Sequence, residues 1–162
     1  MNHDSTNESS GVRVFPPALY AAGIGTAYLL QWWWPLRPMT AGSGLLWVAR
    51  VVGWVFIAAS IMLPIWAVGL FHRAGTTPNP MRPTTALVFR GPYRFTRNPM
   101  YLGLALLQVG LALVTNALWP LLTLAPVVVA VRRLVIDREE RYLEAKFGEE
   151  YRAYKARVRR WL

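Results

Sequence analysis

The chain has 162 residues, 54% of them hydrophobic and 13% aromatic, with a net charge of +10. Its apolar residues are gathered into blocks instead of being spread as in a water-soluble core, which argues for a membrane protein over a soluble domain. There is no cysteine, which excludes disulfides, thiolate nucleophiles and cysteine-based metal centres, and the only histidines, His3 and His72, are too few for a histidine-rich metal cage, so no metal site is expected.

Residues 1–14 are polar and Asn- and Ser-rich and are expected to form a disordered cytosolic start. Met1 to Gly11 has neither the positive n-region nor the small-residue cleavage site of a signal peptide, so the first hydrophobic span is expected to stay in the mature chain. Residues 15–71 hold the first two predicted transmembrane helices. Phe15 to Trp34 carries no charge and has the length to cross a hydrocarbon core of about 30 Å. Pro35 and Pro38 end this helix, and Thr40 to Gly44 reads as a short turn. The second block, Leu45 to Phe71, carries only Arg50, close enough to one end to snorkel, and Pro64 is expected to kink it.

Residues 72–98 form a connector rich in Gly and Pro, long enough to be functional if ordered. Residues 99–133 read as a hydrophobic hairpin. Pro99 starts its first helix with Asn98 as N-cap, Thr115 to Ala117 makes the turn, and the second helix tolerates Pro120 in its first turn and bends at Pro126. Both arms are short for upright spans, so they tilt, thin the bilayer or continue as helix beyond it. In residues 134–162, Leu143, Phe147, Tyr151, Tyr154 and Val158 form one stripe of an amphipathic cytosolic helix, broken or capped at Gly148, with Arg141, Glu149, Arg152, Arg157 and Arg160 on other faces. The expected fold is therefore all-α, with about four transmembrane helices.

Charge placement supports that layout. With four crossings and both termini cytoplasmic, 16 of the 18 Lys and Arg fall on one side and only Arg37 and Arg50 on the other, as the positive-inside rule requires. Trp32, Trp33, Trp34, Trp47 and Trp119 then line the opposite interface, while Trp54 and Trp66, inside the second block, are assigned to packing. A nucleic-acid binder would need a soluble module to present its basic stripe, and none is visible.

Two clusters carry chemistry. Between Ser9 and Ile136 there is no carboxylate, and six of the eight acidic residues lie between Asp137 and Glu150. In Gly91 to Gly103, Arg90, Arg94 and Arg97 can bind carboxylate or phosphate, Tyr93, Phe95 and Tyr101 can stack on a planar ring, and Gly91 and Gly103 permit close approach. That set suits a cofactor with an aromatic base and a carboxylate; equally, it suits arginines holding lipid phosphates beside interfacial aromatics. Glu139 and Glu140, next to Arg132, Arg133 and Arg138, can bind a cationic group, orient a ribose or accept a proton; equally, they suit a solvated, salt-bridged helix.

The ordered pair Gly-Pro-Tyr-Arg-x-x-Arg-(His/Asn)-Pro-x-Tyr-x-Gly and Glu-Glu-x-x-Leu-x-x-x-Phe-Gly-x-x-Tyr-x-x-Tyr, separated by a hydrophobic hairpin, resembles the isoprenylcysteine carboxyl methyltransferase and phospholipid methyltransferase superfamily. Here the elements are Gly91 to Gly103 and Glu139 to Tyr154. The resemblance implies an integral membrane enzyme using S-adenosylmethionine, held between connector and C-terminal helix instead of in a Rossmann domain. It implies cofactor binding by Leu87, Val88, Tyr93, Asn98, Pro99, Met100, Tyr101 and Glu139, with Arg133 and Glu140 facing a lipid-like or hydrophobic methyl acceptor, a carboxylate or an amine. Asn98 stands where many relatives have His; it keeps the hydrogen bonding but cannot titrate. The alternatives are a non-catalytic basic membrane protein that binds anionic lipid or a partner, and a membrane reductase with a nicotinamide cofactor, against which the Glu-Glu pair argues.

Overall fold

The computed structural model describes residues 14–76 and 85–161, so the predicted disordered start, His3, Pro78, Pro80 and Pro83 lie outside the described residues. Five helices follow in order: α1 (Pro16–Trp33), α2 (Gly44–Arg73), α3 (Pro99–Thr115), α4 (Trp119–Val131) and α5 (Asp137–Arg157), with no strand among the described residues. Proline occupies the first turn of α1, α3 and α4, where its missing N–H costs nothing. The Ser43 hydroxyl caps α2 by accepting from Leu46 N at 3.2 Å.

α1 runs antiparallel to α4, and α2 antiparallel to α3, giving a bundle with two polar ends. α2 and α3 approach through glycine: a Cβ on Gly110 would sit 2.8 Å from Gly53 O, and one on Gly53 would sit 2.9 Å from Gly110 O. Gly103 faces the Pro64 ring of α2, so its missing Cβ serves helix packing and not a ligand. Between α3 and α4, the wholly buried Gln108 donates to Pro120 O at 2.9 Å and Thr123 Oγ1 at 3.0 Å. At the tryptophan-rich end, Asn116 ends α3 in the left-handed conformation, and its amide pairs with both backbone groups of Met39. Trp119 Nε1 donates to Trp34 O at 2.7 Å, tying α4 to the chain leaving α1.

The outer surface is apolar, as expected of a bundle whose solvent is lipid. α2 and the helix running from Trp119 through Arg157 are long and apolar enough to cross a membrane, while α3, at 17 residues, is a shorter apolar helix. The apolar stretch of the long helix ends at Arg132 and Arg133, and the helix is highly charged from Asp137 on. Trp54 is 61% exposed on the outside of α2, which corrects its assignment to packing, whereas the ring of Trp66, though half-exposed, packs against Gly91 of the connector, where a Cβ would meet it at 3.0 Å.

The C-terminal half decides two points that the sequence left open. α4 does not stop at Val131 but continues through a π-helical turn, Arg132–Ile136, into α5. α5 is broken at Gly148, the glycine that interrupts its stripe, which takes φ 53°, ψ −123°. The part after Gly148 folds back, burying Tyr151 and Tyr154 and turning Arg160 inward, away from the solvated face assigned to it.

Candidate active site at the loop–helix junction

At the end of the bundle opposite the tryptophans, three pieces of chain meet: the connector from Leu87 to Asn98, the first turn of α3, and α5. Tyr93, in a 3₁₀ turn at Gly91–Arg94, is buried, with its ring edge-on to Phe71 of α2 at 5.5 Å. Its carbonyl accepts a hydrogen bond from Tyr154 Oη at 2.8 Å, and Tyr154 packs on Phe89 at 4.8 Å. The folded-back half of α5 therefore clamps the connector against α2.

Below this clamp, Tyr101 Oη donates to Glu139 Oε1 at 2.8 Å, joining the two motifs directly. Tyr101 belongs to a buried cluster with Tyr20, Val127, Val131, Val135 and Ile136, so Glu139 lies beside an apolar floor. Desolvation there pushes the Glu139 carboxyl up to about 7, with a further push from the Glu140 charge and a partial offset from the Tyr101 hydrogen bond. The Tyr93 hydroxyl is buried and has no hydrogen-bond partner among the described residues, and burial, then the nearby Tyr154 and Glu139, raises its pKa well above the usual phenol value.

Glu140 is placed differently. It is 5% exposed and receives Arg160 Nε at 3.0 Å and Nη2 at 2.6 Å, while Arg97 Nη1 lies 3.0 Å away. Arg160 also reaches Asp137 at 3.0 Å. The backbone of the C-terminal strap is held as well. Arg97 N donates to Arg159 O at 2.9 Å, and Thr96 Oγ1 and Asn98 Nδ2 donate to Arg160 O at 3.1 and 2.9 Å. Trp161 then packs against the same apolar cluster that floors Glu139.

Of the predicted site residues, Tyr93, Tyr101 and Glu139 come together. Pro99 is buried as the first residue of α3, and Leu87, Val88 and Met100 are half-buried around the junction. Asn98 is present but does not cap α3 with its side chain, because its amide is committed to Arg160 O. Arg133 is exposed and lines an open depression with Asp137, Glu140, Arg141, Lys155 and Arg160, which includes neither Tyr101 nor Glu139. Sequence reasoning missed Thr96, Tyr154, Asp137 and Arg160 as site-building residues. The one available signal was Gly148, a glycine interrupting a helical stripe.

Fold and site together define a helical membrane protein with a polar site at one end of its bundle. Residues 48–150 match the phospholipid methyltransferase family, and the chain belongs to that family of membrane methyltransferases. An uncharacterized protein from Haemophilus influenzae is 43% identical over 63 residues, which cover 39% of this chain and 100% of that protein. No solved structure matches the chain.

Proposed function

We propose that the protein is an S-adenosylmethionine-dependent methyltransferase acting on a lipid-like or hydrophobic acceptor, with four membrane crossings and both termini cytoplasmic. The observation that carries this reading is the Tyr101–Glu139 hydrogen bond, which unites the two motifs beside the unpartnered hydroxyl of Tyr93. A buried hydroxyl without a partner is costly unless a ligand completes it. Tyr93, Tyr101 and Glu139 together offer aromatic faces, a hydroxyl and a carboxylate, a set that fits a nucleoside carrying a ribose diol and a cationic centre. Leu87, Val88, Asn98, Pro99 and Met100 would complete the cofactor's surroundings.

The cofactor, when bound, supplies an electrophilic methyl group on a sulfonium. The chain's own residues then have separable tasks. The apolar floor of Tyr20, Val131, Val135 and Ile136 excludes water from beside Glu139, strengthening its electrostatic interactions. Of the two adjacent carboxylates, Glu139, with its affinity for protons raised to near neutrality, is suited to accept one from an amine acceptor. Glu140, gripped by two arginines, is suited to hold the strap in register.

The test is calorimetric titration of the detergent-purified chain with S-adenosylhomocysteine, for wild type and Tyr93→Phe. Removing an unpartnered hydroxyl leaves stability unchanged or raised, so weaker binding, by about tenfold for one lost hydrogen bond, reports on the ligand alone. Absence of binding to a folded wild type would favour the non-catalytic lipid-binding alternative.

A further inference from the structure

The depression lined by Arg133, Asp137, Glu140, Arg141, Lys155 and Arg160 lies on a different face of the long helix from Glu139 and has a volume of about 510 Å³. It is built by two elements. Arg133, Asp137, Glu140 and Arg141 lie on one side of the continuous helix, and the break at Gly148 returns Lys155 and Arg160 to face them.

Its charge is unbalanced. Four cations line it against two carboxylates, and both carboxylates are occupied: Arg160 grips Asp137 at 3.0 Å and Glu140 at 2.6 Å, and Arg97 adds a second cation on Glu140 from behind. Lys155 pairs with Glu144 at 3.1 Å. Arg141 spends its Nε on Asp137 O at 3.1 Å, which leaves its terminal nitrogens for other acceptors, and Arg133 is exposed with no ion pair among the described residues. Two guanidinium groups thus remain for an oxyanion, which they can hold bidentately.

The level of the depression indicates where that oxyanion comes from. Arg133 stands at the end of the apolar stretch of the long helix, between the exposed apolar side chains Val129 and Leu134. Acyl chains lying along Val129 and Leu134 would bring their headgroups to Arg133 and the mouth of the depression. We infer that this depression binds the phosphate group of an anionic glycerophospholipid, with Arg133 and Arg141 as its anchors, as a site separate from the Tyr101–Glu139 junction. A soluble phosphate shares the charge but lacks the acyl chains that would pack on Val129 and Leu134.

The test is native mass spectrometry of the full chain in detergent, titrated with phosphatidylglycerol, phosphatidylcholine or inorganic phosphate. The variants are Arg133→Gln/Arg141→Gln and a charge-matched control, Arg90→Gln/Arg94→Gln, whose exposed arginines share this end of the bundle but lie outside the depression. Saturable binding of phosphatidylglycerol, at least tenfold tighter than phosphatidylcholine, weakened at least tenfold in the first variant and unchanged in the control, is expected. Equal loss in both variants would reduce the effect to general basicity and overturn the site, as would equal affinity for phosphatidylcholine. Inorganic phosphate binding as tightly as the lipid would overturn the lipid assignment. If the double variant does not retain its helical circular dichroism, Arg133→Gln alone, a change at an exposed residue, is to weaken phosphatidylglycerol severalfold; unchanged binding there would overturn the proposal.

Discussion

Replacing Glu139 by Gln removes a carboxylate whose proton affinity is raised by an apolar floor, and the consequence for stability can be worked out. The folded-state value of about 7 lies above the usual 4.5. Between these values the folded protein holds a proton that the unfolded chain has released, so stability contributed by Glu139 is fully present below about pH 4.5 and is lost as pH rises through 7. A difference of about 2.5 units at 1.36 kcal/mol each amounts to at most about 3 kcal/mol at pH 8. Glu139→Gln keeps an oxygen for the Tyr101 hydroxyl and carries no charge, so it escapes the loss. At roughly 2–4 °C per kcal/mol for a chain of this length, the variant should melt about 6–12 °C above wild type at pH 8 and close to it at pH 4.5. Thermal unfolding of both proteins in one detergent from pH 4.5 to 8.5 measures this. Parallel melting curves across that range would refute the reasoning, as would a wild type that gains on the variant with rising pH.

Other outcomes follow from single contacts. Gly148→Ala forces a Cβ into a conformation that costs about 1–3 kcal/mol, and should speed hydrogen exchange in the clamp, residues 149–161, while leaving α1 to α4 protected. Arg160→Gln removes the charge-assisted bonds to Glu140 and Asp137, worth about 1.5–3 kcal/mol each where buried and less here because Arg97 remains on Glu140; a melting temperature lowered by several degrees is expected. Gly110→Leu drives a side chain into Gly53 and Ile57 of α2 and should separate the two helices, read as lost helical content or aggregation after purification. Asn116→Ala removes two hydrogen bonds to Met39 and places a Cβ residue without that compensation at φ 52°, for an expected loss of about 1–3 kcal/mol in unfolding.

Much of the fold was legible because membrane helices announce themselves. The charge-free run before Trp34, the prolines at 35, 99 and 120, and the short turn at Thr115 to Ala117 placed the ends of α1 and α3 and the start of α4 within a residue or two. The meeting of Tyr101 with Glu139 was legible too, since a hairpin returns both motifs to one end. What escaped was set by tertiary contacts. Nothing between Val131 and Asp137 shows that a π turn, not a break, joins α4 to α5, since both use the same helix-forming residues. The inward turn of Arg160 depends on the Gly148 fold-back, which converts a position on the polar side of an ideal helix into a partner of Glu140, and helical periodicity cannot register a reversal of the chain. Trp54 was misassigned because hydrophobicity is the same toward lipid as toward a core.

The central claim is that the Tyr93–Tyr101–Glu139 junction transfers methyl groups to a membrane-borne acceptor. Its most direct test is incubation of the purified chain with S-adenosylmethionine labelled in the methyl group and a total lipid extract, followed by counting label in the organic phase. Label transferred by wild type and reduced at least tenfold in Glu139→Gln, which remains folded and is the more stable protein at pH 8, is the predicted result. No transfer above a protein-free control, or undiminished transfer by the variant, would contradict it.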